Sequence, residues 1–396
     1  MRIGKIPESV LKRSVLRQRA CRREEILQGA LAGEDCAAAQ LPEGELLLAA
    51  ADPVTAGYRL AGRCAVYAAA NDIAAGGGEL FAVLTTILLP PGTEEQELRE
   101  LVREIGEACR LLHAEQAGGH TEVTSAVTRP VLQVTGLGRC ALQQPLRTGG
   151  LQPGDAIVMT KWAGMEGTAI LAAEKEAELQ TRFAAEFIRE TAALADGDSL
   201  SVAPEARIAR DFGVHAMHDV SEGGIYAALW ELGQASKTGL CADIHAVPVR
   251  QETIEVCEFF DINPYQLMSA GSLLIGAADG SGLVRALGAA GIPAVVIGRA
   301  NESNDRVIVN GEDRRFLTPP AGDEIYRVME TDSAAGMRIN KAGGQNERRD
   351  FEDYRQEQQA GTEGHRSHDR FNGSRGEGRN CGHGTGTGDL RISDTD

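Results

Sequence analysis

Hydrophobic and polar positions alternate with two different periods between residues 45 and 330. Short apolar runs predict strands at 46–51, 81–89, 131–134 and 156–160. Longer segments with apolar residues three or four positions apart predict helices at 60–75, 93–111 and 225–233. The first run is expected to end at Asp52-Pro53, because proline has no N–H group for sheet pairing. Thr93 to Gln96 fits a capping box at the start of a helix. This mixture of strands and helices predicts a layered α/β or α+β fold.

Changes in composition divide the chain into four parts. We expect a basic N-terminal arm at 1–30, an α/β domain at 31–148, a larger α+β domain at 149–330 and a low-complexity tail at 331–396. The turn at Pro153-Gly154-Asp155 marks the start of the second domain. After Glu330 there are five Leu, Ile or Phe residues and no Val. Such a tail buries too little apolar surface to order itself, so it is either disordered or not in the natural reading frame.

Charge and cysteine content narrow the functional class. With 40 basic and 57 acidic residues the formal net charge is −17. An acidic chain is a poor partner for nucleic acid or for an anionic membrane face. No apolar run approaches the roughly 20 residues that a membrane-spanning helix needs. The eight cysteines are scattered and form no CxxC pair, which favours a reducing, cytoplasmic location.

Four polar clusters interrupt the apolar pattern. They are Asp52, the pair Asn71-Asp72, the segment Gly118 to Thr124, and the segment His218 to Gly224. Each has an ordinary structural interpretation, as a helix cap or a turn. Together they offer carboxylates beside glycine-rich backbone, which is what Mg²⁺ and nucleotide phosphates require. No P-loop or kinase motif is present, so an ATP site here would be of another type.

These clusters supply specific candidate residues. The candidate metal ligands are Asp52, Asp72, Glu122 and Asp219. The candidate contacts to ATP and its phosphates are Asn71, Gly118, Gly119, Thr121, Gly223 and Gly224. His120 and His218 are either general acid–base groups or hydrogen-bonded structural residues. Gly223-Gly224 precedes a predicted helix, whose N-terminus is suited to bind an anion.

In their order and separations these clusters resemble the ATP-binding superfamily of aminoimidazole ribonucleotide (AIR) synthetase. That superfamily includes selenophosphate synthetase, thiamine-monophosphate kinase and the hydrogenase maturation protein HypE. The resemblance covers roughly 1–330, and Asn263-Pro264-Tyr265 with Ser269-Ala270-Gly271 is most similar to the HypE-like branch. It implies an N-terminal domain that pairs with that of a second subunit, with ATP and Mg²⁺ in the cleft of the homodimer. It also assigns Asp52, Asp72, Glu122 and Asp219 to the metal and phosphates.

Three departures from the family limit the expected substrate. HypE proteins end in a cysteine, whereas this chain ends at Asp396 and its last cysteine is Cys381. Selenophosphate synthetases carry a reactive residue in a glycine-rich context that Cys21 lacks. AIR synthetase has a lysine in the segment that corresponds to Asp52 to Gly57 here, and this chain has none there.

Three functions therefore remain open. The leading hypothesis is a Mg²⁺-ATP-dependent enzyme that activates a carbonyl or amide oxygen of a small substrate by phosphorylation. The alternatives are a nucleotide-binding partner in a maturation complex with little turnover and a phosphotransferase similar to thiamine-monophosphate kinase. A fourth possibility is a scaffold whose site has decayed.

Overall fold

The apolar runs in the first part of the chain build one six-stranded sheet. The computed structural model describes residues 26–28, 37–40, 44–55, 59–140, 145–320 and 322–329. The sheet has the order β1-β2-β3-β6-β4-β5, with every neighbouring pair antiparallel except β4 and β5. Its strands are β1 Ile26–Gln28, β2 Ala37–Gln40, β3 Leu46–Val54, β4 Glu79–Leu89, β5 Glu115–Val123 and β6 Val131–Cys140.

A second sheet of seven strands follows along the chain. Its order is β13-β12-β9-β11-β7-β10-β8, and only the β12–β9 pair is parallel. The strands β7, β8 and β10 are buried over their whole length. The strands are β7 Ala156–Thr160, β8 Ala216–Val220, β9 Gly239–Asp243, β10 Ser272–Ala277, β11 Ala294–Asn301, β12 Arg306–Asn310 and β13 Asp313–Phe316.

Ten helices accompany the sheets in the described residues. They are α1 Ala61–Ala75, α2 Glu95–Leu111, α3 Met165–Glu174, α4 Glu176–Leu179, α5 Ala185–Ala192, α6 Ala203–Phe212, α7 Gly224–Ser236, α8 Gln251–Phe260, α9 Gly280–Ala289 and α10 Ile325–Met329. This combination confirms the predicted α/β (α+β) fold class. No helix in the described part of the chain is long and apolar enough to cross a membrane.

One hydrophobic cluster packs α1 and the first sheet against helices of the second part of the fold. The helix is apolar on nearly every side, and 13 of its 15 residues are buried. The cluster includes Val66 of α1 and Val134 of β6, and it continues to Ile170 of α3, Ile188 of α5 and Ile325 of α10. Both sheets belong to one compact unit. The predicted domain division between 148 and 149 therefore stays a prediction.

The predicted end of β3 is wrong. The strand continues through Asp52 and Pro53 to Val54, opposite Val134, Gln133 and Leu132 of β6. The other neighbour, β2, pairs with residues 46–49 only. Beyond that point one side of β3 has no partner strand among the described residues, so Pro53 occupies an edge position, where proline is tolerated.

The predicted capping box lies one residue too early. Helix α2 begins at Glu95, and the box is formed by Glu94 and Glu97. The Glu94 N–H donates to Glu97 Oε2 at 2.6 Å. The hydroxyl of Thr93 instead donates to the carbonyl of Pro90 at 2.8 Å, within the preceding turn. The apolar pattern also predicts helices near 166–178, 180–195 and 283–290 and strands near 273–277, 294–297 and 306–309, where the structure has helices and strands as well. It does not predict β1, β2, β8, β9, β13, α6 or α8.

Some predictions concern residues outside the described part of the chain. They are most of the basic arm at 1–30, in which only Ile26–Gln28 is described, and the tail at 331–396. Cys21 and Cys381 also lie outside it.

Glycine-rich residues form the edge strand β5 rather than the expected turn. Gly118 and Gly119 pair with Leu84 and Thr85 of the parallel strand β4. Gly119 has a φ of +148°, and a Cβ placed there would lie 1.9 Å from the carbonyl oxygen of Thr85. A Cβ on Gly118 would make only an ordinary 3.4 Å contact with Leu84. Of these two positions, only position 119 must be glycine for β4 and β5 to pack closely.

We expect Gly119→Ala to lower the free energy of unfolding by about 1–3 kcal/mol, because β4 and β5 must separate to admit the methyl group. The matched variant Gly118→Ala should change it by less than about 0.5 kcal/mol. Urea unfolding followed by circular dichroism measures both. Equal effects of the two substitutions would contradict this account of the strand.

Candidate functional site

The four candidate metal ligands lie on four elements, three in the first part of the fold and one in the second. Asp52 is on β3 and is partly exposed. Asp72 is in the fourth turn of α1, where its side chain is 9% exposed. Asp219 is on β8 and is 3% exposed. Glu122 is on β5, where all nine residues are exposed.

Asn71 connects the two parts of the fold through its side-chain amide. The residue is completely buried in α1. Its Nδ2 donates to the carbonyl of Leu200 at 2.8 Å, and its Oδ1 accepts from the N–H of Val202 at 2.9 Å. Both ends of the amide therefore bond to the segment before α6. This arrangement gives Asn71 a structural role, and its contact with ATP stays a prediction.

His218 is held within the second part of the fold. It lies on β8, is 4% exposed, and its Nε2 is 3.1 Å from Glu231 Oε2 of α7. Strand β8 is the outer strand of its sheet and pairs with β10, where His218 lies opposite Leu274. The Glu231 carboxylate therefore holds the imidazole ring in one orientation.

The segment His218–Gly224, which we call the acidic loop, ends at the N-terminus of α7. Gly223 and Gly224 have φ values of +83° and +61°. A Cβ on Gly224 would lie 2.7 Å from the carbonyl oxygens of Tyr265 and Leu267. The N–H of Gly223 already donates to Asp323 Oδ2 at 2.6 Å. An internal carboxylate thus binds the helix N-terminus that was predicted to receive an anion.

Two buried carboxyl groups near this site were missed in the sequence. Glu166 is in the first turn of α3 and is 3% exposed, and Asp323 precedes α10 and is 2% exposed. Glu222 belongs to the predicted segment His218 to Gly224, where its structural interpretation was a helix cap. Glu166 stood out in the sequence as an acidic residue inside the apolar segment 163–173. Nothing local distinguished Asp323 from other acidic residues.

Burial and neighbouring negative charge shift the titration of two of these groups. Desolvation raises the pKa of Glu166 to about 7, and the charges of Glu222 and Asp52 contribute in the same direction. Desolvation also raises the pKa of Asp323 well above its usual range, again with a contribution from Glu222. Asp52 of the first sheet and Glu222 of the acidic loop therefore act electrostatically on one buried carboxyl group. The two parts of the fold meet at this group.

The residues of β5 do not join Asp52 within one chain. In the first sheet β6 and β4 lie between β3 and β5. With about 4.8 Å between neighbouring strands, Glu122 lies on the order of 14 Å away from β3. His120 Nε2 is 3.2 Å from Glu122 Oε2, and both side chains are exposed. Among the described residues no group of three or more His, Cys, Asp or Glu side chains is arranged to hold a metal ion.

A cavity of about 500 Å³ opens where β3 and β4 end. Its polar lining comes from threonine hydroxyls, one guanidinium and two carboxylates, contributed by Thr55, Thr93, Thr128, Arg129, Glu97 and Glu174. This volume lies within the range of small-molecule sites in proteins. Met329 of α10 also lines it. Because Thr55 directly follows β3, the cavity lies close to the strand that carries Asp52.

Two family models match the chain in the order found in the structure. The model "AIR synthase related protein, N-terminal domain" matches residues 33–140, and the model "AIR synthase related protein, C-terminal domain" matches residues 152–310. Together they cover more than half of the chain. The chain belongs to the AIR synthase-related family. This confirms the resemblance stated from the four clusters.

Curated relatives of this chain include enzymes. It is 28% identical to "Carbamoyl dehydratase HypE" of Rhodobacter capsulatus over 60% of this chain and 69% of that protein. It is 30% identical to "Selenide, water dikinase" of Desulfitobacterium hafniense (strain Y51) over 54% of this chain and 60% of that protein. The prediction of an AIR synthase-related enzyme is confirmed.

Solved structures share the fold. A structure of hydrogenase maturation protein HypE in complex with ATP superimposes with a TM-score of 0.62 and 21% identity, covering 80% of this chain and 95% of that one. A complex of AaThiL with AMPPCP and TMP superimposes with a TM-score of 0.57 and 17% identity, covering 73% and 92% respectively. At these identities the similarity concerns the fold alone.

We expect Asn71→Ala to lower the free energy of unfolding by about 2–4 kcal/mol, because it leaves a buried N–H and a buried carbonyl without partners. The matched variant Asn301→Ala removes an amide that bonds within an exposed turn and should cost less than about 1 kcal/mol. Thermal unfolding of the two variants measures the difference. An Asn71→Ala protein as stable as wild type would contradict the structural role of this side chain.

Proposed function

We propose that this chain is a Mg²⁺- and ATP-dependent enzyme that phosphorylates a carbonyl or amide oxygen of a small substrate. The proposal depends mainly on one observation. Asp52 and Glu222, which come from different parts of the fold, both act on the buried carboxyl of Glu166. Carboxylate oxygens are the ligands that Mg²⁺ prefers. A divalent cation at this place would relieve the mutual repulsion of these groups.

The carboxylates fit the proposed metal by their chemistry. Asp52, Asp72 and Asp219 are its proposed ligands, and each lies on a strand or helix. Among the described residues of one chain they do not form a complete three-ligand group, so the proposal includes a ligand from a second subunit. When bound, Mg²⁺ supplies positive charge that stabilises the transferring phosphoryl group. The chain itself contributes orientation. Burial of Asp72 and Asp219 keeps their side chains from adopting other rotamers and limits access of water.

We propose that ATP lies in the cleft of a homodimer, with Gly118, Gly119, Thr121 and Glu122 supplied by the second subunit. Within one chain β5 is separated from Asp52 by two strands, yet its residues are fully exposed. In the described part of the chain β5 has β4 as its one neighbouring strand. Exposed Phe81 and Leu84 of β4 lie beside it. An exposed edge with apolar neighbours is a surface that a second subunit can cover.

The names of the relatives indicate the type of acceptor. Relatives named carbamoyl dehydratase support dehydration of a carbamoyl-type group, in which phosphorylation of the oxygen prepares it to leave as phosphate. We place the acceptor in the cavity lined by Thr55 and Arg129, because it opens beside the end of β3.

The described cysteines Cys64, Cys109, Cys140, Cys241 and Cys257 are free thiols, which supports a cytoplasmic location.

We expect Asp72→Asn and Asp219→Asn each to weaken Mg²⁺-dependent binding of a non-hydrolysable ATP analogue by about 100-fold or more, since each removes a metal ligand. Isothermal titration with and without Mg²⁺ measures this. The control is Asp313→Asn on the exposed strand β13, which should bind as wild type. Wild-type affinity in both test variants would refute the metal assignment. A protein that binds the analogue but releases no phosphate from ATP would be a nucleotide-binding partner.

A mixture of two variants tests the shared site. If Glu122 serves the partner's site, Glu122→Gln and Asp219→Asn should each bind no analogue alone. Co-expressed and randomly paired, they should recover about a quarter of the wild-type sites, because half of the dimers are mixed and each of these has one intact site. Titration of the purified mixture counts the sites. No recovered sites would mean that both residues act within one chain.

A further inference from the structure

The buried carboxyl of Glu166 lies at the centre of the hydrogen bonds that support the acidic loop. We propose that Glu166 is a positioning residue, whose carboxyl fixes the segment Met268–Ala270 and through it the backbone that carries Asp219 and Glu222. The inference deepens the proposed function and rests on it only for the metal readout. No contact of Glu166 with substrate is involved.

The first step is the attachment of Met268–Ala270 to the start of α3. The N–H of Ala270 donates to Glu166 Oε2 at 3.1 Å. The N–H of Gly164 donates to the hydroxyl of Ser269 at 2.7 Å, and the N–H of Gly167 donates to the carbonyl of Met268 at 2.9 Å. Glu166 supplies the one side-chain carboxyl among these three bonds. Without it, the Ala270 N–H loses a buried acceptor.

The second step is the attachment of the same segment to the acidic loop. The N–H of Ser269 donates to the carbonyl of Ser221 at 3.3 Å. Ser221 directly precedes Glu222 and follows the strand that carries Asp219, so this bond anchors the backbone between the two carboxyl groups. The carboxyl of Asp323 also accepts from the backbone N–H groups of Gly223 and Met268. The loop is therefore attached at Ser221 to Ser269, and at Gly223 to Asp323, which binds the same segment.

The environment of Glu166 suits a hydrogen-bond acceptor better than a permanent charge. Its neighbours are the thiol of Cys64, which donates to it, and the negative groups Asp52 and Glu222. Both the neutral and the ionised carboxyl accept the Ala270 N–H. An amide oxygen accepts it equally well. Position 166 therefore requires a side-chain oxygen that can accept the Ala270 N–H, and glutamine provides one in a side chain of the same size.

Glu104 provides a matched control. It is a buried glutamate on α2, and its Oε2 accepts from the backbone N–H of Gly62 at 3.1 Å. Burial raises its pKa to about 7, as it does for Glu166. Its bond joins α2 to the start of α1 and does not involve Met268–Ala270. Removing the Glu104 carboxyl leaves the N–H groups of Gly62 and Arg63 without this acceptor, so the control loses at least as many buried hydrogen bonds to backbone as Glu166→Ala.

The experiment compares Glu166→Ala, Glu166→Gln and Glu104→Ala in the full chain. Amide hydrogen exchange of residues 218–224 is measured first, without ligand. We expect Glu166→Ala to speed exchange there by about tenfold. This corresponds to a decrease of about 1.4 kcal/mol in the free energy of local opening. Glu166→Gln and Glu104→Ala should exchange as wild type in this segment. Exchange that is unchanged in Glu166→Ala, or raised as much in Glu104→Ala, would overturn the proposal.

The second readout is the Mg²⁺ concentration that half-saturates binding of the ATP analogue. Glu166→Ala should raise it by about 10- to 100-fold, as loss of a residue that orients metal ligands does. Glu166→Gln should restore it, and Glu104→Ala should leave it unchanged. If wild type binds no Mg²⁺-nucleotide, the proposed function fails, while the exchange result still decides the role of Glu166. Increased exchange with unchanged Mg²⁺ dependence would limit Glu166 to a purely structural role and contradict the proposal.

Discussion

The structure depends on the need to satisfy the polar groups of α1, a helix that is apolar on nearly all sides. Buried amide, hydroxyl and charged groups are stable only with hydrogen-bond partners. Three side chains of α1 find these partners in one segment, 195–202, in the second part of the fold. Arg63 donates to the carbonyl of Ala195, Tyr67 to that of Gly197, and Asn71 to that of Leu200. These directional bonds fix α1 against that segment, which non-directional hydrophobic contact alone would not do.

The hydrogen bonds between α1 and the segment 195–202 help to explain where the candidate site lies. Asp72 follows Asn71 in α1, so the bonds of Asn71 also determine where the Asp72 carboxyl can be. Glu166 opens α3, which packs against the same hydrophobic cluster as α1. Desolvation raises the pKa of Glu166 to about 7, and the negative charges of Glu222 and Asp52 add to the shift. The carboxyl groups of the two parts thus converge because the helices that carry or support them share a core.

The candidate residues on the edge strand β5 are exposed, in contrast to the buried carboxyl groups of Asp72, Glu166 and Asp219. The glycines of β5 pack closely on β4, and Gly119 admits no side chain, yet the outer surface of the strand is exposed. The predicted phosphate contacts at Gly118, Gly119 and Thr121 consequently lie on a surface that one chain leaves open. Gly223 differs, because the Asp323 carboxyl binds its N–H. A phosphate at that N–H would have to displace a buried internal group.

Several features could be predicted from the sequence because they depend on local pattern. Apolar periodicity located the helix at 60–75 and the strand at 156–160, and the order of acidic and glycine clusters indicated the family. The true extent of β3 depended on its pairing with β6, which continues opposite Asp52 and Pro53 to Val54. The glycines at 118–119 form a strand because β4 pairs with them, and their composition alone favours a turn.

The grouping of the site residues was decided by tertiary structure. Sequence order gave no reason to link Glu166 with Asp52 or Asp323 with Gly223, which are 114 and 100 positions apart. Nor did it reveal that Glu122 is separated from Asp52 by two strands. A residue's type and its neighbours along the chain determine which chemistry it offers. Its distance to other groups depends on sheet order and helix packing, and these arise from contacts between residues far apart in the sequence.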